Sequence, residues 1–121
     1  MRLTGFSPML ETKNLSKSIQ WYQEILGFEL QDHLPDLGWA SLVKDDVRIM
    51  LMTRVTQRKH SDPVLTGSFY FYTSEVDAWW EALKGKVPVE YPLETYSYGM
   101  REFAIRDING YLLQFGTYAV E

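Results

Sequence analysis

The sequence predicts an α+β fold: two tandem βαβββ modules, at about residues 4–53 and 67–118, forming a curved mixed sheet with the helices on its outer face. Three observations predict it. The same order of strand, helix and three strands occurs twice, with a period of about 60 residues. Each half holds one segment of helical spacing among short runs that alternate like strands. The 121 residues are 45% apolar and 23% charged, the composition and length of one globular domain.

In the first half, Gly5 to Thr12 reads as a strand. Asn14 offers a helix N-cap, Leu15, Ile19, Tyr22, Ile25 and Leu26 lie on one helical face, and Gly27 suits a left-handed C-terminal cap. Phe28 to His33 is a strand, and Leu34 to Gly38 a turn. Trp39 to Val43 and Val47 to Thr53 are strands around Lys44-Asp45-Asp46. Arg54 to Thr66 is polar and reads as the connection between halves. The second half repeats the order. Ser68 to Thr73 is an aromatic strand, and Ser74 is the expected cap of a helix carrying Val76, Trp79, Trp80 and Leu83, with Gly85 after it. A short strand is expected near Val87 to Tyr91. Arg101 to Arg106 and Tyr111 to Thr117 form a hairpin around Asp107-Ile108-Asn109-Gly110.

Composition excludes several functions. Without cysteine there is no disulfide framework, thiolate metal site or cysteine nucleophile. A net charge of -4, with Arg58-Lys59 as the longest basic run, argues against nucleic acid. No apolar run reaches the roughly 20 residues of a membrane span, and Met1 to Gly5 lacks the apolar stretch of a signal peptide, so a cytoplasmic location is expected. No phosphate-binding glycine loop or serine nucleophile elbow occurs. The only histidines are His33 and His60, both in turn or loop segments and more consistent with solvation than with ligation. Aromatic residues reach 15%, enough both to fill a core and to line a pocket for a flat or cationic ligand.

Strand alternation sorts the faces. Ile49, Leu51, Phe69, Phe71, Phe103, Ile105, Leu113 and Phe115 are expected under the helices. A mixed set is expected on the concave face: Ser7, Met9, Trp39, Met50, Met52, Ser68, Tyr70, Tyr72, Glu102, Ala104, Arg106 and Gln114. Such a lining reads either as a ligand cavity or as a surface through which two chains meet. Glu102 and Arg106 read either as an acid or base facing the cavity or as a pair on the sheet surface, and pairing with each other is the expectation.

The segment from Asn14 to Phe28 resembles the first helix and following strand of the vicinal oxygen chelate superfamily, which includes glyoxalase I, extradiol dioxygenases, fosfomycin resistance enzymes and bleomycin resistance proteins. Gly99 to Gly110 resembles its closing hairpin. The wording Gly-x-Arg-Glu-Phe-Ala-x-Arg-Asp, together with Asp46-Val47-Arg48-Ile49, is especially similar to the bleomycin resistance proteins. Ile108 stands where the family usually has proline. The resemblance implies a concave face on which the enzymes hold a divalent metal, and it assigns the three ligand positions to Ser7, Ser68 and Gln114. Hydroxyls and a neutral amide are poor ligands for such a metal, so no metal, no cofactor and no catalytic residue are expected.

The function expected is metal-independent binding of a small flat or cationic molecule, such as a bleomycin-type antibiotic. Trp39, Tyr70, Tyr72, Tyr96 and Tyr98 would stack, Met50 and Met52 would adapt, and Ser68, Glu102 and Gln114 would meet polar groups. The resemblance also implies a homodimer, with or without exchange of the first strand. The competing readings are a metal-dependent lyase, isomerase or dioxygenase of the same superfamily, and a protein-recognition surface.

Overall fold

The computed structural model describes residues 1–53 and 63–119. The connection expected from Arg54, with Arg58, Lys59 and His60, lies outside the described residues as far as residue 62. The chain forms two compact units, Met1–Pro63 and Val64–Glu121, and each is a βαβββ module with its own four-stranded mixed sheet.

The first unit runs β1 (Met9–Thr12), α1 (Leu15–Leu26), β2 (Glu29–Leu34), β3 (Trp39–Lys44) and β4 (Val47–Thr53). Its sheet has the order β1-β4-β3-β2, with β1 parallel to β4 and the other pairs antiparallel. The first strand is shorter than the sequence suggests. Pro8 lends its carbonyl to the Met50 N–H at 2.9 Å but has no N–H of its own, and pairing begins at Met9. The helix starts and stops where expected. Asn14 Oδ1 accepts the Lys17 N–H at 3.0 Å, and Gly27 at φ 76° lets the chain reverse. The Gly27 and Phe28 N–H groups then donate to Gln23 and Tyr22 carbonyls. Its buried face includes Ile19, Tyr22 and Leu26, packed on the side of the sheet that carries Ile49 and Leu51. Ser18 is buried too, its hydroxyl 2.6 Å from that of Thr12.

The second unit runs β5 (Phe69–Tyr72), α2 (Val76–Leu83), β6 (Val89–Thr95), β7 (Met100–Arg106) and β8 (Leu112–Tyr118), in the sheet order β5-β8-β7-β6. Helix α2 departs from expectation at its start. Ser74 does not cap it; Glu75 occupies the N-cap, and the Thr73 hydroxyl accepts the Glu75 N–H at 3.1 Å. The helix is held by aromatic packing. Trp80 meets Phe103 and Trp79 meets Phe115, both at 5.2 Å between centroids, and Phe103 and Phe115 stack at 5.2 Å. Arg101 adds a two-pronged ion pair from β7 to Asp77 of α2, at 2.8 and 3.3 Å.

Strand β6 is longer than expected and irregular. Its register against β7 shifts twice, between Val89 and Tyr91 and between Tyr91 and Glu94, around Pro92. The β7–β8 hairpin forms as expected. Asp107 Oδ1 accepts the Asn109 and Tyr111 N–H groups at 2.9 and 2.8 Å, with Gly110 at φ 88°. Among the described residues, no helix is long and apolar enough to cross a membrane.

Candidate functional site

Three of the ligand residues expected from sequence, Trp39, Met50 and Met52, belong to the first unit. They lie half-buried on the sheet face opposite α1. Trp39 is in register with Met52, and Ser41 with Met50. Gln31 crosses this face from β2, its Oε1 accepting Ser41 Oγ at 3.0 Å and Arg48 Nε at 3.1 Å. Ser7 precedes β1.

The other seven, Ser68, Tyr70, Tyr72, Tyr96, Tyr98, Glu102 and Gln114, belong to the second unit. The alternation that buries Phe103, Ile105, Leu113 and Phe115 beneath α2 sends Glu102, Ala104, Gln114 and Gly116 to the opposite face. Glu102 is opposite Gly116 in the register, and Gly116 is beside Tyr72. Gly116 is an open space that the neighbours use. A Cβ there would lie 1.9 Å from Tyr70 Oη, 2.7 Å from its Cζ and 2.9 Å from Glu102 Cβ. Only the absence of a side chain at 116 lets the Tyr70 ring lean over β8 toward Glu102.

Glu102 is the centre of this face. It is 2% exposed. Its Oε1 accepts the Tyr98 hydroxyl, which comes from the β6–β7 turn. Its Oε2 and the Tyr70 hydroxyl are both buried and have no hydrogen-bond partner among the described residues. An unpaired buried acceptor costs about 1–3 kcal/mol. These are the buried side-chain polar atoms without a partner among the described residues, and Oε2 is an acceptor that a further donor would complete.

Tyrosine rings frame Glu102 on both sides. Tyr70 packs on Tyr72 at 4.9 Å, and Tyr72 stacks on Tyr118 at 6.1 Å. Across β7, Tyr96 and Tyr98 stack at 5.7 Å, with Tyr91 edge-on to Tyr96 at 5.5 Å. Tyr96 is anchored by donating to the Pro92 carbonyl at 2.8 Å. A polar chain runs alongside: Ser68 Oγ donates to Gln114 Oε1 at 2.5 Å, and Gln114 Nε2 donates to the Tyr91 hydroxyl at 2.8 Å. Burial raises the hydroxyl of Tyr70 above its ordinary pKa, and the Glu102 carboxyl beside it adds to the rise. Tyr91 is raised by burial against the lowering hydrogen bond from Gln114. Tyr96 is raised by burial and then by Glu94 and Glu102.

One expectation fails. Glu102 and Arg106 do not pair. They share a face of one strand, but four residues of strand hold them about 13 Å apart. Arg106 instead binds Glu90 of β6 at 2.9 Å and the Gly110 carbonyl at 3.1 Å. Its guanidinium holds the Glu90 carboxyl below its usual range. Tyr91 and Tyr118 are on this face but were not expected there from alternation. Pro92 was the available sign for Tyr91, because proline inside a strand marks an edge or a bulge.

The sequence profile of the Glyoxalase/Bleomycin resistance protein/Dioxygenase superfamily matches residues 7–115. No curated protein matches the chain significantly. Many solved structures are similar. A glyoxalase/bleomycin resistance protein/dioxygenase from Nocardioides is 21% identical, with a TM-score of 0.77 over 98% of this chain and 85% of its own. TioX from Micromonospora sp. ML1 is 19% identical at the same TM-score, over 95% and 98%. An integron cassette protein from the mobile metagenome of the Halifax Harbour sewage outfall is 27% identical, also at 0.77, over 95% and 99%. These likenesses are likenesses of fold.

Proposed function

The chain belongs to the glyoxalase/bleomycin resistance protein/dioxygenase superfamily, and from that premise we propose that it binds a small flat or cationic molecule without the help of a metal. The observation that carries this reading is the set of tyrosine rings around a buried carboxyl group with one unpaired oxygen. Rings offer stacking surface and attract cations over their faces. A bleomycin-type antibiotic, flat in part and cationic, is one compound of this kind, in keeping with the wording of Gly99 to Asp107. No catalytic residue is assigned.

The donor set argues against the superfamily's divalent metal. Of the three positions that the resemblance assigns to ligands, Ser68 and Gln114 are a hydroxyl and an amide hydrogen-bonded to one another, and the amide's nitrogen is directed at Tyr91. Ser7 is a third neutral hydroxyl. Such donors do not fit a cation that prefers imidazole or carboxylate. Among the described residues, no group of three or more His, Cys, Asp or Glu lies together.

Trp39, Met50 and Met52 are included as ring and thioether surface of the first unit. A homodimer in the cytoplasm completes the proposal. Leu3 and Phe6, exposed in the segment before the edge strand β1, and Met9, exposed at its start, supply apolar surface for a second copy. Titration with a cationic acridine dye, followed by protein fluorescence, tests the binding reading. Saturable quenching, unchanged by a strong chelator, is the expected result. No response across a panel of flat and cationic dyes contradicts it, and quenching abolished by the chelator favours the metal-dependent enzyme.

A further inference from the structure

Resting on the binding reading above, we infer that Glu102 is the anchor for a protonated amine bearing N–H donors, received at its Oε2, and that the Tyr98 hydroxyl, bonded to Oε1, covers the carboxyl until the amine arrives. Two independent features of the second unit lead there. The first is a buried acceptor: Glu102, 98% removed from solvent, has an Oε2 with no hydrogen-bond partner among the described residues, as has the Tyr70 hydroxyl beside it. An acceptor in that state is completed by a donor. A positive donor completes it best, because a charge-assisted bond is about twice as strong as a neutral one.

The second feature is the asymmetry of what covers Glu102. Tyr70 is fixed in the space left open at Gly116. Tyr98, which occupies Oε1, is 64% exposed. Its turn is pinned by backbone bonds: Gly99 N–H to Tyr96 O at 3.0 Å, Tyr96 N–H to Met100 O at 2.8 Å, and Ala119 N–H to Gly99 O at 2.9 Å. The backbone is therefore held, while the Tyr98 side chain, tied by its stack on Tyr96 and its bond to Glu102, is the exposed element over the carboxyl. Rotation of that side chain opens Glu102 without disturbing the sheet.

The chemistry separates ligand classes. A quaternary ammonium satisfies the rings through cation–π attraction, but it has no N–H and leaves Oε2 unpaired. A neutral alcohol donates a hydrogen but brings no charge. A primary or secondary ammonium on an aromatic group does both, its charge at Glu102 and its ring among the tyrosines.

Isothermal titration calorimetry with three probes tests this: 2-naphthylmethylammonium, its N,N,N-trimethyl derivative and 2-naphthylmethanol. The protein is expected to bind the first about tenfold or more tightly than either other probe. Glu102→Gln is expected to erase that preference while circular dichroism stays unchanged. Tyr98→Phe is expected to keep or enlarge it, because the covering hydroxyl is gone. Equal affinity for the three probes, or a preference that survives Glu102→Gln, overturns the anchor and leaves the binding reading standing. Loss of the preference in Tyr98→Phe overturns the covering role. Failure of all three probes to bind sinks the binding reading, and this inference with it. The wild-type comparison does not depend on how any variant folds.

Discussion

A missing side chain shapes the inner face of the second unit. Gly116 leaves room for Tyr70 and backs on Glu102, so a single methyl group should displace the ring. We predict that Gly116→Ala destabilises the protein by roughly 1–3 kcal/mol in urea denaturation, the usual penalty of overpacking. Most of that loss should vanish in a Tyr70→Ala background, where the two closest contacts are gone. The tyrosines also set a pH dependence. Tyr70, Tyr91 and Tyr96 are raised in the folded state. Above about pH 10 the unfolded chain gives up phenolic protons that the folded chain still holds. Their contribution to stability is thus complete below pH 10 and declines as pH rises further. Tyr70→Phe should make the decline between pH 9 and 11.5 shallower, measured by urea midpoints. At this scale alternation found Glu102, Gln114 and Tyr70 on one face. It could not find their partners. Tyr98 reaches Glu102 from a turn, and Glu90 reaches Arg106 from a neighbouring strand whose register a one-dimensional reading does not contain.

Elements with their own local signals were legible, and those held by tertiary contacts were less so. Helix α1 carries both of its boundaries in sequence, a side-chain cap at Asn14 and a left-handed glycine at 27. Asn14→Ala should cost about 0.5–2 kcal/mol, visible as a lower midpoint in thermal melting. Helix α2 has only eight residues and no side-chain cap, so its start was misplaced at Ser74. Its stability comes from Trp79 and Trp80 over Phe103 and Phe115. Such a short helix has little stability of its own. Phe103→Ala should therefore remove about 3–5 kcal/mol, with loss of near-ultraviolet aromatic dichroism. A result under 1 kcal/mol would show that the aromatic layer is not what holds α2. Strand β6 was underestimated because two register shifts break its alternation, and the same shifts bring Tyr91 to Gln114.

At the scale of the whole molecule, the repeat was the most informative reading. The same order of elements builds both units, and both sheets close with a parallel pair, β1 with β4 and β5 with β8. The matched superfamily is built on this repeat, which explains why fold and family were readable while ligand and assembly were not. Those depend on a few side chains and on surfaces that no periodicity marks. A homodimer is expected, and sedimentation equilibrium at micromolar concentration should give about twice the 14.2 kDa chain mass; a clean monomer would remove it. The choice between a sequestering protein and a metalloenzyme comes down to whether the protein holds a metal. The most direct measurement is the divalent metal content of protein purified without chelators, by plasma mass spectrometry. Far less than one ion per chain is predicted, with dye binding intact. One tightly held zinc, manganese, iron or nickel ion per chain, coordinated by side chains of these sheets, would contradict it.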